Sequence, residues 1–364
     1  MNIGINATAA FKKPRTGVEE YVYQIIKHLT MLEESQRHRF ILYAPKSLAG
    51  LRHILPQNFF VKRLAWSLPM WTQIRLALEI LASKPDCLFI PVHVLPFFHP
   101  KNSVVTIHGL EYEHYPRFYS NRRRRYLRFS AKYALKHARK IIAVSESTKQ
   151  DLINLYKADP DKIKVVYHGV EIPKKIKNNN QLKKNKKPYI LFIGRLETKK
   201  NVQGLIEAFD LLKERYKAPH QLMLAGPRGF GYEEIKIQII KSKYKEDIIE
   251  KGYVSEKEKR QLFRQADIFA LPSFYEGFGM PILEAQACGV AVVTSDVSSM
   301  SEVAGAGAIL ANPNNRQDIC QGIYKIISNQ HIRNDLIIKG YENIKRFSWQ
   351  KCAEQTLKVL IRQK

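Results

Sequence analysis

Short runs rich in Ile, Val, Leu and Phe recur along this chain, spaced so that one amphipathic helix fits between most neighbours, and the series occurs twice. In the first series the runs fall at 3–5, 40–43, 87–90, 104–107, 141–144 and 163–166, with helical periodicity over 18–30, 72–82, 122–137 and 148–156. In the second they fall at 189–193, 221–225, 248–250, 268–271, 291–294 and 308–310. Helices are predicted there over 202–216, 233–243, 256–265, 281–288, 318–328 and 330–346. Ser255-Glu256-Lys257-Glu258 has the spacing of a capping box at the third of these. Alternation of this kind predicts a parallel, doubly wound sheet, so the expected class is α/β with two Rossmann-like domains. The stretch 174–187 carries three consecutive asparagines, many lysines and no hydrophobic period, and reads as a linker. The expected organisation is a first domain over 1–172, a basic linker over 173–187, a second domain over 188–346, and a last helix in 347–364 returning to the first domain. Two such domains would set the carboxyl ends of their strands, and hence their loops, face to face across a cleft.

Composition narrows the function classes. At 364 residues the chain exceeds one ordinary core, and 45% hydrophobic with 26% charged residues is a soluble, globular balance. Cys87, Cys288, Cys320 and Cys352 are scattered, without Cys-x-x-Cys, so neither a disulfide framework nor a zinc site is indicated and a reducing cytoplasm fits. The start, Met1 to Asn6, reads as a strand, not a signal peptide. No apolar run approaches the ~20 residues that span a bilayer. Charge is the outlier: 60 Lys and Arg against 33 Asp and Glu give a formal +27. Such a field favours an anionic partner. It is concentrated between Glu113 and Glu146, where no acid occurs and Arg117, Arg122 to Arg125, Arg128, Lys132, Lys136, Arg139 and Lys140 gather.

Two acids stand out in the second series. Glu276 falls on the loop at the carboxyl end of the 268–271 strand, and Glu284 one turn into the following helix. Gly277 and Gly279 let the backbone approach a ligand. A helix starting at Pro281 aims its free amides at the same place. An acid, a tight glycine loop, an anion-attracting helix start and a second acid suit a sugar joined to a phosphate. Earlier, Gly194-Arg195-Leu196-Glu197-Thr198-Lys199-Lys200-Asn201 follows the 189–193 strand. There Arg195 offers a planar fork and Lys200 a point charge, both suited to a diphosphate. His108 ends the 104–107 strand, and Thr16-Gly17-Val18 opens the first helix. Three look-alikes are set aside: Asp159-Pro160-Asp161 as a surface turn, the group His108, Glu111, Glu113 and His114 as a mismatch to helix-borne metal ligands, and Gly226 to Gly231 as a failed dinucleotide fingerprint.

The run from Glu276 to Glu284 resembles the Glu-x7-Glu motif of retaining glycosyltransferases of family 4, which have the two-domain GT-B fold, and the resemblance extends over essentially the whole chain. It implies transfer of a hexose, mannose or a related sugar, from a nucleoside-diphosphate sugar to a glycan or lipid-linked acceptor in surface-polysaccharide synthesis, with retention and without a metal or other cofactor. The Gly-Arg…Lys-Asn signature implies that Arg195 and Lys200 hold the diphosphate. Glu276 would contact the donor sugar, Glu284 the ribose hydroxyls, and His108 the sugar from the first domain. The expected catalytic set is His108, Glu276, Arg195 and Lys200. The expected donor-binding set is Gly17, Gly194, Arg195, Lys200, Asn201, Gly277, Phe278, Gly279, Met280, Pro281 and Glu284. Two departures are noted: Gly109 follows His108 where the family usually has Asp, and one glycine stands at Gly17 where many members have two. Ser298 to Val303 resembles a further family segment, with a helix cap as the plainer account.

Two other classes remain open at this stage. One keeps the fold and epimerises or hydrolyses a nucleotide sugar. The other is a nucleic-acid-binding protein using the basic helix with Tyr126, Phe129 and Tyr133, although no nucleic-acid module is recognisable. That amphipathic basic helix reads better as a membrane-surface element. The expected place is thus the cytoplasm, peripheral on the inner face of the cell membrane, with an anionic lipid surface as partner.

Overall fold

The structure, a computed structural model, describes residues 1–12, 15–45, 55–172 and 187–361. The chain divides into two compact units, Met1–Gly169 with Phe347–Lys364, and Val170–Arg346. The expected linker, 173–187, lies outside the described residues except for Lys187.

The first unit is built on a seven-stranded sheet: β1 (Asn2–Asn6), β2 (Arg39–Ala44), β3 (Phe59–Arg63), β4 (Cys87–Ile90), β5 (Ser103–Ile107), β6 (Lys140–Ala143) and β7 (Ile163–Val165). Its order is β3-β2-β1-β4-β5-β6-β7, and every pairing is parallel. The helices between are α1 (Gly17–Leu29), α2 (Ala77–Ser83), α3 (Glu111–His114), α4 (Asn121–His137) and α5 (Glu146–Tyr156). β4 and β5 are buried at every position. That follows from helices on both faces of a parallel sheet, and it is why these strands read as unbroken apolar runs.

The second unit holds a six-stranded parallel sheet: β8 (Tyr189–Ile193), β9 (Gln221–Ala225), β10 (Ile248–Gly252), β11 (Ile268–Leu271), β12 (Ala291–Ser295) and β13 (Ala308–Ala311), in the order β10-β9-β8-β11-β12-β13. Its helices are α6 (Val202–Tyr216), α7 (Tyr232–Lys241), α8 (Glu256–Gln265), α9 (Met280–Ala287), α10 (Ser299–Ala304), α11 (Arg316–Ser328) and α12 (Gln330–Ile344). The final helix, α13 (Trp349–Ile361), packs in the first unit, along α1.

Both sheets have the doubly wound strand order of the Rossmann fold. Such a sheet opens a crevice at the carboxyl ends of its first and fourth strands, where successive connections leave on opposite faces. In the second unit those strands are β8 and β11, which lie side by side. The loops after them are the two segments singled out from sequence.

Four elements differ from expectation. β3 was not expected. It is an edge strand with only Phe59 buried and its other positions partly or fully exposed, so no apolar run marks it. The single helix expected over 72–82 is a wide π-turn, Thr72–Leu76, running into the short α2. α3 and α10 are one-turn helices, too short to show a period.

Candidate active site

The loop after β8 is held by the loop after β9. Gly194 N donates to Ala225 O at 3.0 Å and Leu196 N to Pro227 O at 2.9 Å. The approach is close enough that a Cβ on Gly226 would fall 1.9 Å from Gly194 O, at a φ of +147°. Gly229 does the same for the side chain: a Cβ there would lie 2.6 Å from Arg195 Cγ. The Gly226 to Gly231 segment, rejected as a dinucleotide fingerprint, is thus the bed on which Arg195 lies. Arg195 is exposed, and its guanidinium has no hydrogen bond or ion pair among the described residues. A planar cation with all its donors available suits a diphosphate.

Lys200 ends a 3-10 turn, Thr198–Lys200, and its ammonium pairs with the Glu276 carboxylate. Ser273 Oγ donates to the same carboxylate oxygen at 2.8 Å. The Glu276 backbone is fixed at both ends, its N–H donating to Ser298 Oγ at 3.1 Å and its carbonyl accepting from Ser299 Oγ at 2.8 Å. Ser298 itself takes a φ of +53° with ψ −139°, a conformation that costs a non-glycine residue energy. The Ser298 to Val303 segment therefore does more than cap a helix; it seats Glu276. Phe274 N donates to Lys199 O at 3.0 Å, so the two loops of the crevice form one piece.

Beyond Glu276 the chain turns through Gly277, half-buried, and Phe278, whose ring is buried. Gly279, at φ +94°, starts α9 and brings no side-chain acceptor to its first turn, while Met280 and Pro281 occupy that turn. The arrangement leaves a helix start suited to an anion. Glu284, one turn in, accepts from Lys259 of α8 at 2.7 Å. Burial alone would lower the Lys259 pKa, but the Glu284 and Glu256 carboxylates outweigh it and hold the ammonium above its ordinary value. Nearby Cys288 is pushed up to about 11, chiefly by burial and then by the Glu284 charge. Asn201, expected with the donor, is buried instead. Its amide donates to Pro313 O at 2.7 Å, and its backbone makes the left-handed turn into α6. It shapes the loop from inside.

In the first unit His108 follows β5. Its Nε2 lies 2.8 Å from Pro91 O, which makes Nε2 the protonated nitrogen and leaves the lone pair on Nδ1. Tyr21 packs edge-on at 4.9 Å between ring centroids, and His168 stands at 5.7 Å. Burial pushes the His108 pKa down to about 4, against the raising effect of Pro91, so the ring is neutral at physiological pH. Gly109 has a φ of +146°, which an Asp would rarely adopt. Gly17 begins α1, and a Cβ there would meet nothing within 4 Å. The first turn of α1 already holds Glu19 and Glu20; Glu19 accepts from Thr16 N at 3.2 Å, and Arg15 pairs with Glu20 at 2.8 Å. This helix start is satisfied by its own acids, unlike that of α9.

The structure therefore brings Gly194, Arg195, Lys200, Glu276, Gly277, Gly279, Met280 and Pro281 to one end of one sheet, with Glu284 on the adjoining helix. Sequence reasoning missed Ser273, Lys259 and Gly229. No local pattern marks them, because each acts on a residue 3, 25 or 34 positions away through the fold. The acids of the rejected metal group are engaged elsewhere: Glu113 with Arg124 and Arg128 at 3.5 and 2.5 Å, and Glu111 with Tyr119 at 2.9 Å. Among the described residues no cluster of three or more His, Cys, Asp or Glu is placed to hold a metal ion. Asp159 caps the turn that follows it, accepting from Asp161 N at 2.9 Å. No described helix is long and apolar enough to cross a membrane.

Comparison with known proteins agrees with this geometry. Residues 15–173 match the family model described as Glycosyltransferase Family 4, and residues 173–343 match Glycosyl transferases group 1. O-antigen chain mannosyltransferase B of Escherichia coli is 29% identical, over 97% of this chain and 98% of its own. O-antigen chain mannosyltransferase RfbU of Salmonella typhimurium is 26% identical, over 68% of this chain and 66% of its own. Among solved structures, Anabaena Alr3699/HepE in complex with UDP and glucose superposes with a TM-score of 0.76 at 19% identity, over 99% of this chain and 98% of that one. Likeness at that identity speaks for the fold, which is that of the GT-B glycosyltransferases.

Proposed function

Because the chain belongs to the family 4, group 1 glycosyltransferases, we propose that it moves a hexose, mannose in the first instance, from a nucleoside-diphosphate sugar to a glycan or lipid-linked acceptor in surface-polysaccharide synthesis. The observation that carries this reading is the seating of Glu276. Lys200, Ser273, Ser298 and Ser299 fix it at the crevice end of β8 and β11, and the loop after β8 also carries Arg195, exposed and unengaged among the described residues. A fixed acid and a cation with available donors at the same end of one sheet suit a sugar carried on a diphosphate. The two relatives named as O-antigen mannosyltransferases support mannose and a surface polysaccharide. The Anabaena neighbour with UDP and glucose supports a nucleotide leaving group.

In this reading Arg195, Lys200 and the first turn of α9 stabilise the negative charge that grows on the departing diphosphate, the kind of preorganised stabilisation worth about 10²–10³ in turnover per donor. The departing oxygen takes the acceptor proton, and the product retains the donor's anomeric configuration. Glu276 orients the sugar and Glu284 the ribose. His108, neutral and protonated on Nε2, presents Nδ1 as an acceptor for a sugar hydroxyl. With cations and a helix start at the diphosphate, no metal is required. The exposed cations on α4 support docking on an anionic membrane, at its inner face, where a lipid-linked acceptor would be found.

The test is a turnover screen with GDP, UDP and ADP sugars and a lipid-linked oligosaccharide, with product configuration read by NMR. Transfer with retention, unaffected by a chelator, is the expected result. Epimer or free sugar formed without acceptor would mark an epimerase or hydrolase instead. Activity abolished by chelator and restored by magnesium or manganese would overturn the metal-free mechanism.

A further inference from the structure

The ion pair that ties α8 to α9 is unusually placed. Lys259 Nζ lies 2.7 Å from Glu284 Oε1 and 3.0 Å from Glu256 Oε1, with only 16% of the Lys259 side chain and 21% of Glu284 exposed. An exposed pair would be worth little and would leave the carboxylate mobile. Here the lysine stem is packed, and both helices descend from strands of the same sheet. The α8 capping box, Ser255 with Glu258, fixes the start of the helix that carries Lys259. Lys259 therefore holds one oxygen of the Glu284 carboxylate from a fixed position.

We propose that Lys259 is a positioning residue for donor recognition: by holding one oxygen of Glu284, it aims the carboxylate so that it can accept hydrogen bonds from the vicinal hydroxyls of a ribose. The inference rests on the reading of Glu284 as the ribose acid. It adds that discrimination of ribose from deoxyribose depends on a lysine that does not itself touch the nucleotide. Two hydroxyls bind one carboxylate well only when its plane is fixed, and a swinging carboxylate loses the pairing geometry. A neutral, flexible residue at 259 would also leave Glu284 without its near counter-charge.

Calorimetry on the full chain tests this, with GDP and UDP each set against its 2′-deoxy counterpart and with inorganic pyrophosphate as the control for the diphosphate site. Wild type should prefer the ribonucleotide. Lys259→Met should lose most of that preference, about tenfold, the scale of one hydrogen bond to a charged group. Its pyrophosphate affinity should change little. Lys259→Arg should recover a good part of the preference. Lys259→Gln serves if the methionine variant folds poorly by circular dichroism. A lysine variant that keeps the wild-type ratio, even with a lowered Tm, overturns the proposal and leaves the pair a structural tie. A wild type with no ribose preference overturns the reading of Glu284, and the proposal with it. A Glu284→Gln variant that keeps the preference while Lys259→Met loses it also overturns the proposal, because the lysine would then act directly.

Discussion

The sequence reading gives Lys200 and Glu276 separate roles, one on the diphosphate and one on the sugar. Their direct ion pair changes that expectation. Removing Glu276 leaves Lys200 without its carboxylate partner, and removing Lys200 leaves a half-buried carboxylate without its cation. The two substitutions should therefore be non-additive: each alanine variant loses turnover by about 10²–10³, while the double variant loses much less than the product. A double-mutant cycle on kcat/KM reads this directly, and strict additivity would mean that the pair is not maintained during turnover. Among the described residues Arg195 has no such partner, so Arg195→Ala should combine additively with Glu276→Ala. Gly229→Ala places a methyl group against Arg195 Cγ and Cδ, at 2.6 and 2.7 Å. It should weaken nucleoside-diphosphate binding without unfolding the unit. The sequence made the roles of these side chains legible wherever strand, glycine and charge lie within a few residues. It could not show that Lys200 reaches Glu276 across 76 positions, because only the packed sheet brings β8 and β11 together.

At the scale of elements, strands buried on both faces were read to within a residue; β4, β8, β9 and β11 have the expected bounds, and β5 and β12 are each one residue longer. Their composition alone separates them from everything around. The edge strand β3 and the π-turn before α2 lack that contrast, which is why neither was foreseen. α4 shows the same limit for function. Its basic composition was plain, but not which cations are engaged. Arg124 and Arg128 turn to Glu113, so the exposed positive face is Arg122, Arg123, Arg125, Lys132 and Lys136. Beside it stand exposed aromatic side chains, with Tyr126 at 50%, Phe129 at 53% and Phe97 at 47%, and the Phe97 and Phe129 rings meet at 6.2 Å. Vesicle binding should therefore have two parts. A salt-sensitive part, about 1 kcal/mol per cation at best, should fall when Arg122, Arg123 and Arg125 become Gln. A residue of binding at high salt should fall when Phe97 and Phe129 become Ser. Flotation across a salt series with acidic and neutral vesicles separates the two, and wild type that ignores acidic vesicles at low salt would remove the membrane from the reading.

At the scale of the whole molecule, acid acts on a group of buried imidazoles in the first unit. In the first unit the imidazoles of His108 and His168 lie in a stack of rings closed by the final helix: Tyr21 packs on His168 at 4.6 Å, and Trp349 of α13 packs against both, 5.8 Å from His168 and 6.4 Å from Tyr21. Burial lowers both pKa values, that of His108 to about 4, and His93 is lowered for the same reason. A group whose folded pKa is depressed binds fewer protons folded than unfolded between the two values. Stability therefore rises with pH across that window, is fully present above the unfolded value of about 6.5, and is lost as pH falls toward 4. For His108 alone the loss is on the order of 3 kcal/mol, enough to matter against ordinary domain stability. Calorimetric scans of the full chain from pH 7 to 4.5 should thus show one transition falling steeply in Tm. The matching loss of near-UV signal should come from Trp349 and its neighbours. His168→Phe keeps a ring against Tyr21 and Trp349 but removes a titrating group, so the same transition should fall less steeply in that variant. An unchanged slope would mean that the acid response of the first unit resides outside this stack.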